Sequence, residues 1–389
     1  MIGRDPIKVL VVDDSGIYRN LIKKSLLGEE DIQIIGAVGS GEEAIQFLRT
    51  SNADLITLDV EMPGMNGLET LQKIQETFPR TDEFAGLGVI MVSAFTRKGA
   101  DITIHCLENG AFDFITKPQS GNADQNMESL RRQLLVKIRH YAISRKSRAR
   151  TSGEISEKKI ITTVPTFKRQ SVYSDAKEPK LIRAVLIGVS TGGPKALVKF
   201  LPSLSMKIDL PIFIVQHMPP TFTQSLAETL NSRCNHRVIE VVKEEVVTER
   251  TVYLASGGFH MLLVKDATDK ARVIINEEPP ENGFRPSVDV LFRSTAPVFG
   301  GNVVAIILTG MGNDGTRGIG MLKRFGALTI AQDEETSVVW GMPRSAIEAG
   351  YIDEVLPIDE IPGAVERIVL KKREIYEIKK GDFTNGPNG

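Results

Sequence analysis

The feature that most constrains this chain is a regular alternation of short apolar runs with amphipathic segments, which occurs in two separate stretches. In the first stretch, apolar runs of strand length cover 7–12, 33–38, 54–58, 88–92 and 113–117. The segments between them carry apolar residues at helical spacing. Such alternation is typical of strand–helix repeats, in which helices cover both faces of a parallel sheet. The pattern predicts an α/β unit with five parallel strands, closed by a helix over 127–142.

A second series of the same kind begins at residue 181. Its apolar runs predict strands over 181–190, 211–216, 238–242, 251–255, 260–264, 271–276 and 303–310. The glycine pair 257–258 lies between two of these runs and predicts a hairpin. We therefore expect a second doubly wound α/β unit, whose sheet is mostly parallel and contains an antiparallel hairpin.

The segment that joins the two series, 144–180, is polar, mixed in charge and without strong periodicity. This composition predicts a linker, with a surface segment packed within one domain as the alternative. The predicted organisation is a first domain over 6–143, the linker, a second domain over 181–370, and a tail over 371–389 to which the sequence assigns no role.

Composition narrows the class of protein. The chain has 389 residues, of which 41% are hydrophobic and 25% charged, as is ordinary for two folded domains. The net charge of −1 gives no sign of a nucleic-acid partner. Cys106 and Cys234 fall in different predicted domains, which indicates a reducing compartment. Neither a secretory signal nor a run suited to membrane insertion is found, so we expect a cytoplasmic protein.

The strand ends of the first domain carry a set of charged and polar residues. Asp13 and Asp14 follow the first strand, Asp59 the third, Ser93 the fourth and Lys117 the fifth. In an open parallel sheet these carboxyl ends meet at one edge. Three carboxylates there would repel one another unless a cation such as Mg²⁺ were bound. A single aspartate is usually a turn residue or a helix cap, but this set predicts phosphoryl transfer to a carboxylate.

The first domain resembles the receiver domain of two-component response regulators over 6–143, through the segments VLVVDDS, LITLDVEMPGMNGLE, MVSA and a Lys-Pro step. The resemblance implies that Asp59 is the phospho-acceptor. The implied Mg²⁺ ligands are Asp13, Asp14, Asp59 and the backbone carbonyl of Glu61. Ser93 and Phe114 occupy the family's switch positions, and Lys117 would contact the phosphoryl group. The bond between Lys117 and Pro118 would be cis.

A candidate nucleophile lies where the first strand of the second domain ends. Ser190 is the serine of a G-x-S-x-G pattern, and small residues beside it allow a tight strand-to-helix turn. The N–H groups of the following helix are suited to a developing oxyanion. Because a serine hydroxyl is a weak nucleophile, this site needs a base.

Three histidines of the second domain are candidates for that base. His217 follows a strand and is expected at the same sheet edge as Ser190, whereas His236 precedes its strand and His260 begins one. Asp314 follows the last predicted strand and could orient His217, although a lone aspartate there could equally cap the next helix. The order Ser, His, Asp differs from that of the α/β-hydrolases, which predicts a triad on another fold.

A nucleotide site is the competing interpretation of the serine loop. GVSTGG has the spacing G-x-x-x-G-G rather than G-x-G-x-x-G, and no G-K-[ST] follows it. The next strand ends at His217 rather than at the acidic residue that a ribose favours. We therefore prefer the esterase interpretation.

The second domain resembles the catalytic domain of the chemotaxis protein-glutamate methylesterases, the CheB family, over about 182–369. The matching segments are IGVSTGGP, IVQHMPPTFT, YLASGGFHM, FRPSVDVLF, ILTGMGNDGTRG and VWGMPRSAIEAG. The resemblance implies Ser190 as nucleophile, His217 as base and Asp314 as its orienting acid, with Thr191 and the Met311 N–H near the oxyanion. It implies hydrolysis of receptor glutamate methyl esters to glutamate and methanol, and deamidation of receptor glutamines, with no cofactor in this domain.

Together the two resemblances imply an esterase controlled by phosphorylation. Methylated chemotaxis receptors would be its substrates and a chemotaxis histidine kinase its phosphodonor. The receiver would pack over the esterase mouth until Asp59 is phosphorylated. One departure from the family pattern is Ser256, where proline is expected. A phosphorylation-controlled scaffold with a vestigial site and a DNA-binding regulator are the alternatives; the intact triad argues against the first, and the lack of a clear helix-turn-helix against the second.

Overall fold

The computed structural model of the protein describes residues 5–78, 87–118, 122–153 and 181–384, which form two α/β domains. The strands of the first are β1 (Ile7–Val12), β2 (Ile32–Val38), β3 (Leu55–Asp59), β4 (Gly88–Ser93) and β5 (Asp113–Thr116). Its helices are α1 (Gly16–Ser25), α2 (Gly41–Leu48), α3 (Gly67–Thr77), α4 (Arg97–Glu108) and α5 (Ala123–Gly153). The five strands form a parallel sheet in the order β2-β1-β3-β4-β5, so the predicted fold class is confirmed for this domain.

The strands of the first sheet are apolar because helices cover both of its faces. β3 and β4 are buried along their whole length, as expected for central parallel strands. Local capping fixes where the helices begin. Asn66 caps α3 in a capping box with Glu69, and the Thr96 side chain caps α4. These caps set the length of the loops at the carboxyl edge of the sheet.

Helix α5 is longer than the sequence pattern predicted. It continues to Gly153, so the first residues of the predicted linker, 144–153, are helical. The Ser144 hydroxyl donates a 2.5 Å hydrogen bond to the Val338 carbonyl of the second domain. The rest of the predicted linker, 154–180, lies outside the described residues.

The second domain combines a large parallel sheet with a small antiparallel one. Its strands are β6 (Ala184–Val189), β7 (Ile212–Gln216), β8 (Arg237–Val241), β9 (Glu245–Val246), β10 (Thr251–Ala255), β11 (His260–Lys265), β12 (Ala271–Asn276), β13 (Val303–Ile307), β14 (Leu328–Gln332) and β15 (Glu354–Leu356). Its helices are α6 (Gly193–Phe200), α7 (Phe222–Asn231), α8 (Val288–Phe299), α9 (Thr316–Arg324), α10 (Met342–Glu348) and α11 (Ile361–Thr384). The parallel sheet has the order β15-β14-β13-β6-β7-β10-β8, and the antiparallel sheet has the order β11-β12-β9.

The predicted hairpin between β10 and β11 is wrong. β10 lies inside the parallel sheet between β7 and β8, so both of its edges are already hydrogen-bonded. All of its residues are buried, which is the pattern of a central parallel strand rather than a hairpin strand. β11 pairs instead with β12. The sequence therefore predicts an antiparallel pair correctly, but assigns it to β10 and β11 instead of β11 and β12.

The sequence pattern did not predict the strands β14 and β15, which extend the parallel sheet beyond β13. It also assigned no structure to the tail over 371–389. Helix α11 runs through 371–384, while 385–389 lie outside the described residues. Arg373 of this helix forms a 2.6 Å ion pair with Asp209, which ties the helix to the second domain.

The two domains pack against each other through α4, which lies against α6 and α7. Leu107 of α4 and Phe222 of α7 belong to one apolar cluster that extends across the contact. Two ion pairs flank it, Arg97–Glu228 and Arg233–Glu108. Exposed pairs of this kind contribute about 0–1 kcal/mol each. Apolar burial is therefore the main source of cohesion between the domains.

The cysteines lie in different domains, as predicted. Cys106 is buried in α4 and Cys234 follows α7, and both are free thiols. Of the helices in the described part of the chain, none has the length and apolar character needed to cross a bilayer.

Candidate functional site

The first candidate site is the acidic cluster at the carboxyl edge of the first sheet. Lys117 Nζ lies 2.9 Å from Asp13 Oδ2 and 2.8 Å from Asp59 Oδ2. Both carboxylates are buried, so the ammonium offsets their mutual repulsion in a poorly solvated place. Burial and the neighbouring Asp13 raise the pKa of Asp59 to about 6, although Lys117 and the Glu61 N–H act in the opposite direction. The cluster therefore carries negative charge that Lys117 alone does not neutralise.

This cluster fits the Mg²⁺ ion that the sequence implied. Asp13, Asp14 and Asp59 present carboxylate oxygens that all lie within 4.8 Å of one another. Such oxygen donors are those that Mg²⁺ prefers, and the exposed Asp14 leaves one side of the cluster open. The Glu61 N–H lies 3.4 Å from Asp59 Oδ1, so the residue expected to offer its carbonyl is beside the cluster.

The two expected switch positions have different surroundings. Ser93 ends β4 and is fully buried, and its hydroxyl donates to the Ala94 carbonyl at 3.2 Å. Phe114 of β5 stacks on Phe222 of α7, with 4.5 Å between the ring centroids and 26° between the ring planes. One switch position therefore contacts the second domain directly.

The expectation of a cis bond between Lys117 and Pro118 is wrong. Within the described ranges, the cis peptide bond is Arg285–Pro286. The trans form of an X–Pro bond is favoured by about 0.5–1 kcal/mol when the surroundings do not enforce cis. Lys117 nevertheless reaches both carboxylates from the trans backbone.

The second candidate site is built around Ser190, which follows β6 and is only 7% exposed. The turn after it is tight, because the Gly193 N–H donates to the Ser190 carbonyl at 2.8 Å and Gly192 has a φ of 80°. The Gln216 side chain donates to the same carbonyl at 2.9 Å. A Cβ on Gly310 would lie 2.8 Å from Ser190 Cβ, so only a glycine at position 310 allows its loop to lie this close to the serine.

His217 follows β7, the neighbour of β6 in the sheet. Its Nε2 lies 2.7 Å from Asp314 Oδ2. Its Nδ1 is buried and has no hydrogen-bond partner among the described residues. Because Asp314 occupies Nε2, Nδ1 is the ring atom that remains available as a base. His236 and His260 are hydrogen-bonded to backbone carbonyls instead.

Asp314 is completely buried and is surrounded by donors. Its oxygens accept hydrogen bonds from the His217 ring, the Asn282 amide, the Ser287 hydroxyl and the backbone N–H groups of Val288 and Asp289. Burial raises the pKa of Asp314, but the His217 bond and charge, together with the Val288 and Ser287 donors, outweigh it and lower the pKa to about 2. Asp314 is therefore ionised and held in one orientation, which a helix-capping role would not require.

The residues implied near the oxyanion lie beside the nucleophile. Thr191 is buried, and its hydroxyl donates a 2.6 Å hydrogen bond to Asp113 of the first domain. Met311 directly follows Gly310, the glycine in contact with Ser190. The loop after β6 is thus bound to both domains at once.

Sequence reasoning missed several residues around these sites. They are Asp113, Gln216, Asn282, Phe284 and Ser287. The sequence pattern predicts Asp113 only as the first residue of a strand. Asn282 and Gly283 form a dipeptide typical of tight turns, which was a usable signal for a loop but not for its contact with Asp314.

Comparisons with known proteins identify a family model for each domain. Residues 185–365 match the family model for the CheB methylesterase, and residues 9–127 match the model for the response regulator receiver domain. A protein-glutamate methylesterase/protein-glutamine glutaminase of Desulfotalea psychrophila is 41% identical over 357 residues, covering 91% of this chain and 96% of the relative. The protein of the same name from Bacillus subtilis is 40% identical over 371 residues, covering 94% and 99%.

Among solved structures, similarity was found to the CheB methylesterase catalytic domain of Thermotoga maritima. The two chains share 42% sequence identity with a TM-score of 0.47, and the match covers 48% of this chain and 98% of that one.

Proposed function

This chain belongs to the CheB methylesterase family, and we propose that it is a receiver-controlled serine esterase that hydrolyses glutamate methyl esters on chemotaxis receptors. The observation that carries this proposal is the 2.7 Å contact between His217 Nε2 and a buried, ionised Asp314 at the strand ends beside Ser190. That arrangement supplies a nucleophile, a base and an orienting acid.

The acylation step begins at His217. Its Nδ1 takes the proton from Ser190 Oγ while the oxygen attacks the ester carbonyl carbon. The tetrahedral intermediate then collapses, and the imidazolium returns the proton to the departing methoxy oxygen. The C–O bond breaks, methanol leaves, and the glutamyl group remains esterified to Ser190. Asp314 stabilises the imidazolium and keeps the proton on Nε2 in the neutral state.

Deacylation repeats the same chemistry with water. His217 Nδ1 takes a proton from the water, whose oxygen attacks the acyl carbon. The collapse returns that proton to Ser190 Oγ and releases the glutamate carboxylic acid, which ionises. For a receptor glutamine the acylation step releases ammonia instead of methanol, and the rest is unchanged. Thr191 and the Met311 N–H are the groups we assign to the oxyanion.

We propose that the receiver controls the esterase, and contacts between the two domains support this proposal. We assign Asp59 as the phospho-acceptor, with Lys117 placed to contact the phosphoryl oxygens. Asp13, Asp14, Asp59 and the Glu61 carbonyl would hold Mg²⁺, which would neutralise negative charge on the incoming phosphoryl group. Phe114 links this region to α7, and Asp113 binds Thr191 next to the nucleophile. We infer that a chemotaxis histidine kinase supplies the phosphoryl group and that phosphorylation loosens these contacts.

The proposal is tested by methanol release from methylated receptor membranes. Wild type and Ser190→Ala are compared in the presence of a small phosphodonor and Mg²⁺. We expect methanol from wild type and a loss of at least about 10³-fold in the alanine variant. No methanol from wild type would contradict the esterase assignment, and equal release by the variant would contradict the assignment of Ser190.

A further inference from the structure

A tight turn next to the triad contacts both its acid and its base. Glu281 and Phe284 form an antiparallel bridge with backbone hydrogen bonds of 3.1 and 2.9 Å. The two residues between them both have positive φ, 55° at Asn282 and 82° at Gly283. Asn-Gly is the pair that adopts two consecutive left-handed residues at least cost. The turn is therefore locally specified by its own sequence.

The tip of this turn holds the acid. Asn282 Nδ2 donates hydrogen bonds of 3.0 Å to Asp314 Oδ1 and of 3.0 Å to Asp289 Oδ2. Both carboxyl groups are buried, whereas Asn282 itself lies at the surface. The amide therefore covers two buried acids and separates them from solvent. Asp289 in turn accepts from the Gly318 N–H at 2.6 Å, which fixes it to the start of α9.

The end of the turn holds the base. The Phe284 ring lies parallel to the His217 imidazole, with 3.8 Å between the centroids and 6° between the planes. A flat aromatic surface at this distance blocks rotation of the imidazole out of its plane. The hydrogen bond to Asp314 fixes the same ring at its edge. His217 is therefore restrained in two directions.

An ion pair between Glu281 and Arg293 holds the turn against α8. Glu281 forms two contacts with Arg293 of α8, of 2.5 and 2.6 Å, in which the two terminal guanidinium nitrogens each donate to one carboxylate oxygen. Bidentate pairs of this type are stronger and more directional than ordinary ion pairs. The side-chain pair joins the turn to the helix that begins with Val288 and Asp289, both of which donate to Asp314.

From these contacts we propose that Asn282 and Phe284 are positioning residues for the esterase, with Asn282 acting through Asp314 and Phe284 acting through His217. This inference rests on the proposed function, because it takes His217 as the base and Asp314 as the acid of the reaction. Because both residues act on members of the triad, we expect their removal to lower the rate of the chemical step and to leave substrate binding unchanged.

The test is a double-mutant cycle on the full chain, assayed by methanol release with phosphodonor and Mg²⁺. Asn282→Gly removes the amide but keeps the turn, because glycine adopts a positive φ readily. We expect it to lower kcat about tenfold with KM within about twofold. In an Asp314→Asn background we expect the same change to lower kcat by less than about twofold, because the carboxylate through which Asn282 acts is already absent. Equal losses in both backgrounds, or a loss confined to KM, would overturn the proposal.

A matched control tests whether substitution by glycine at a positive-φ position, rather than loss of the Asn282 amide, lowers kcat. Asp269 also has a positive φ, of 64°, and its side chain forms an ion pair with the exposed Lys265. Asp269→Gly makes the same kind of backbone change far from the triad, and kcat is expected to stay within about twofold of wild type. Phe284→Leu keeps an apolar side chain and removes the parallel ring, and we expect kcat to fall about fivefold. An unchanged kcat in Phe284→Leu would contradict the role given to Phe284.

A spectroscopic signal distinguishes failure of this inference from failure of the proposed function. The proton shared by His217 Nε2 and Asp314 should give a low-field ¹H resonance that is absent in Asp314→Asn. We expect Asn282→Gly to broaden or remove it and Asp269→Gly to retain it. If wild type released no methanol and the resonance still responded in this way, the esterase assignment would fail, whereas the restraint that the turn places on His217 and Asp314 would stand. If the resonance and kcat were both unchanged in Asn282→Gly, the positioning role would fail.

Discussion

Thr191, the residue after the nucleophile, donates a 2.6 Å hydrogen bond to Asp113 of the receiver domain. Both residues are buried, and Asp113 also accepts a 2.6 Å contact from Lys137 of α5. A hydrogen bond to a buried carboxylate is among the stronger ones in proteins. In this arrangement the receiver binds a side chain that we assign to the oxyanion region. We therefore propose that closure of the domains and suppression of the esterase depend on the same contact.

Removal of that contact should raise the activity of the unphosphorylated protein. Asp113→Ala deletes the acceptor for Thr191, and the loss of one hydrogen bond to a charged group shifts the closed–open equilibrium by about 1.5–3 kcal/mol. We expect methanol release without phosphodonor to rise about tenfold or more, and the rate with phosphodonor to change little. Lys137→Gln is the control, because it removes the ammonium group that pairs with Asp113 and leaves the bond to Thr191 in place. An unchanged basal rate in Asp113→Ala would show that this bond does not hold the domains closed.

The stacked rings of Phe114 and Phe222 predict a second basal effect. Aromatic pairs contribute about 0.5–1.5 kcal/mol beyond their buried area. Phe114→Leu keeps an apolar side chain but loses the stack, and should raise basal activity about two- to tenfold. Phe112→Leu is the matched control, because Phe112 packs on Tyr141 within the receiver at 5.4 Å. If the two variants gave the same increase, general loosening of the receiver would explain it better than the interdomain stack.

The raised pKa of Asp59 predicts how receiver stability depends on pH. The folded value is about 6 against an ordinary value of 3.8, so the folded state binds more protons between these limits. Stability contributed by this group is therefore lost as pH rises from about 4 to about 6. Asp59→Asn should stabilise the receiver by roughly 2–3 kcal/mol at about pH 7.5, and much less at about pH 4. Urea unfolding in EDTA measures the difference.

The same unfolding experiment can be repeated with Mg²⁺ in place of EDTA. The ion favours ionised carboxylates, so it should stabilise wild type at neutral pH more than Asp59→Asn. An Asp59→Asn gain that is equal at both pH values would contradict the link to ionisation of Asp59.

The close approach of Gly310 to Ser190 predicts the effect of one added methyl group. In Gly310→Ala the new Cβ would lie 2.8 Å from Ser190 Cβ and 2.5 Å from Met342 Sδ, so the serine loop must shift. A displacement of about 1 Å at a reacting group costs on the order of 10²-fold in rate. We expect kcat to fall by that amount. Gly363→Ala, where nothing lies within 4 Å, is the control and should leave kcat unchanged.

The positions of the candidate catalytic residues could be predicted from the sequence because strand ends converge on one edge of a parallel sheet. That rule placed Asp59 with Lys117, and Ser190 with His217, without any knowledge of side-chain contacts. The sequence alone does not decide whether Asp314 pairs with His217, because a single aspartate after a strand is equally suited to a helix cap. Only the geometry of the donors around Asp314 distinguishes the two.

What the sequence did not predict are contacts between distant segments. The bond between Asp113 and Thr191 joins residues that are 78 positions apart, and no local pattern marks either of them as an interface residue. The hairpin at 257–258 was wrong for a related reason. β10 and β11 are joined by a glycine pair, but the long-range pairing of β10 with β7 and β8 decides which sheet each strand joins.

The most direct measurement is methanol release from methylated receptor membranes by wild type and Asp59→Asn, each with and without phosphodonor and Mg²⁺, with Ser190→Ala as the blank. We expect phosphodonor to raise the wild-type rate about tenfold or more and to leave the Asp59→Asn rate unchanged, since a shift of about 1.4 kcal/mol in domain closure is a tenfold change. A wild-type rate that phosphodonor does not alter, or an equal stimulation of Asp59→Asn, would contradict control of Ser190 through Asp59.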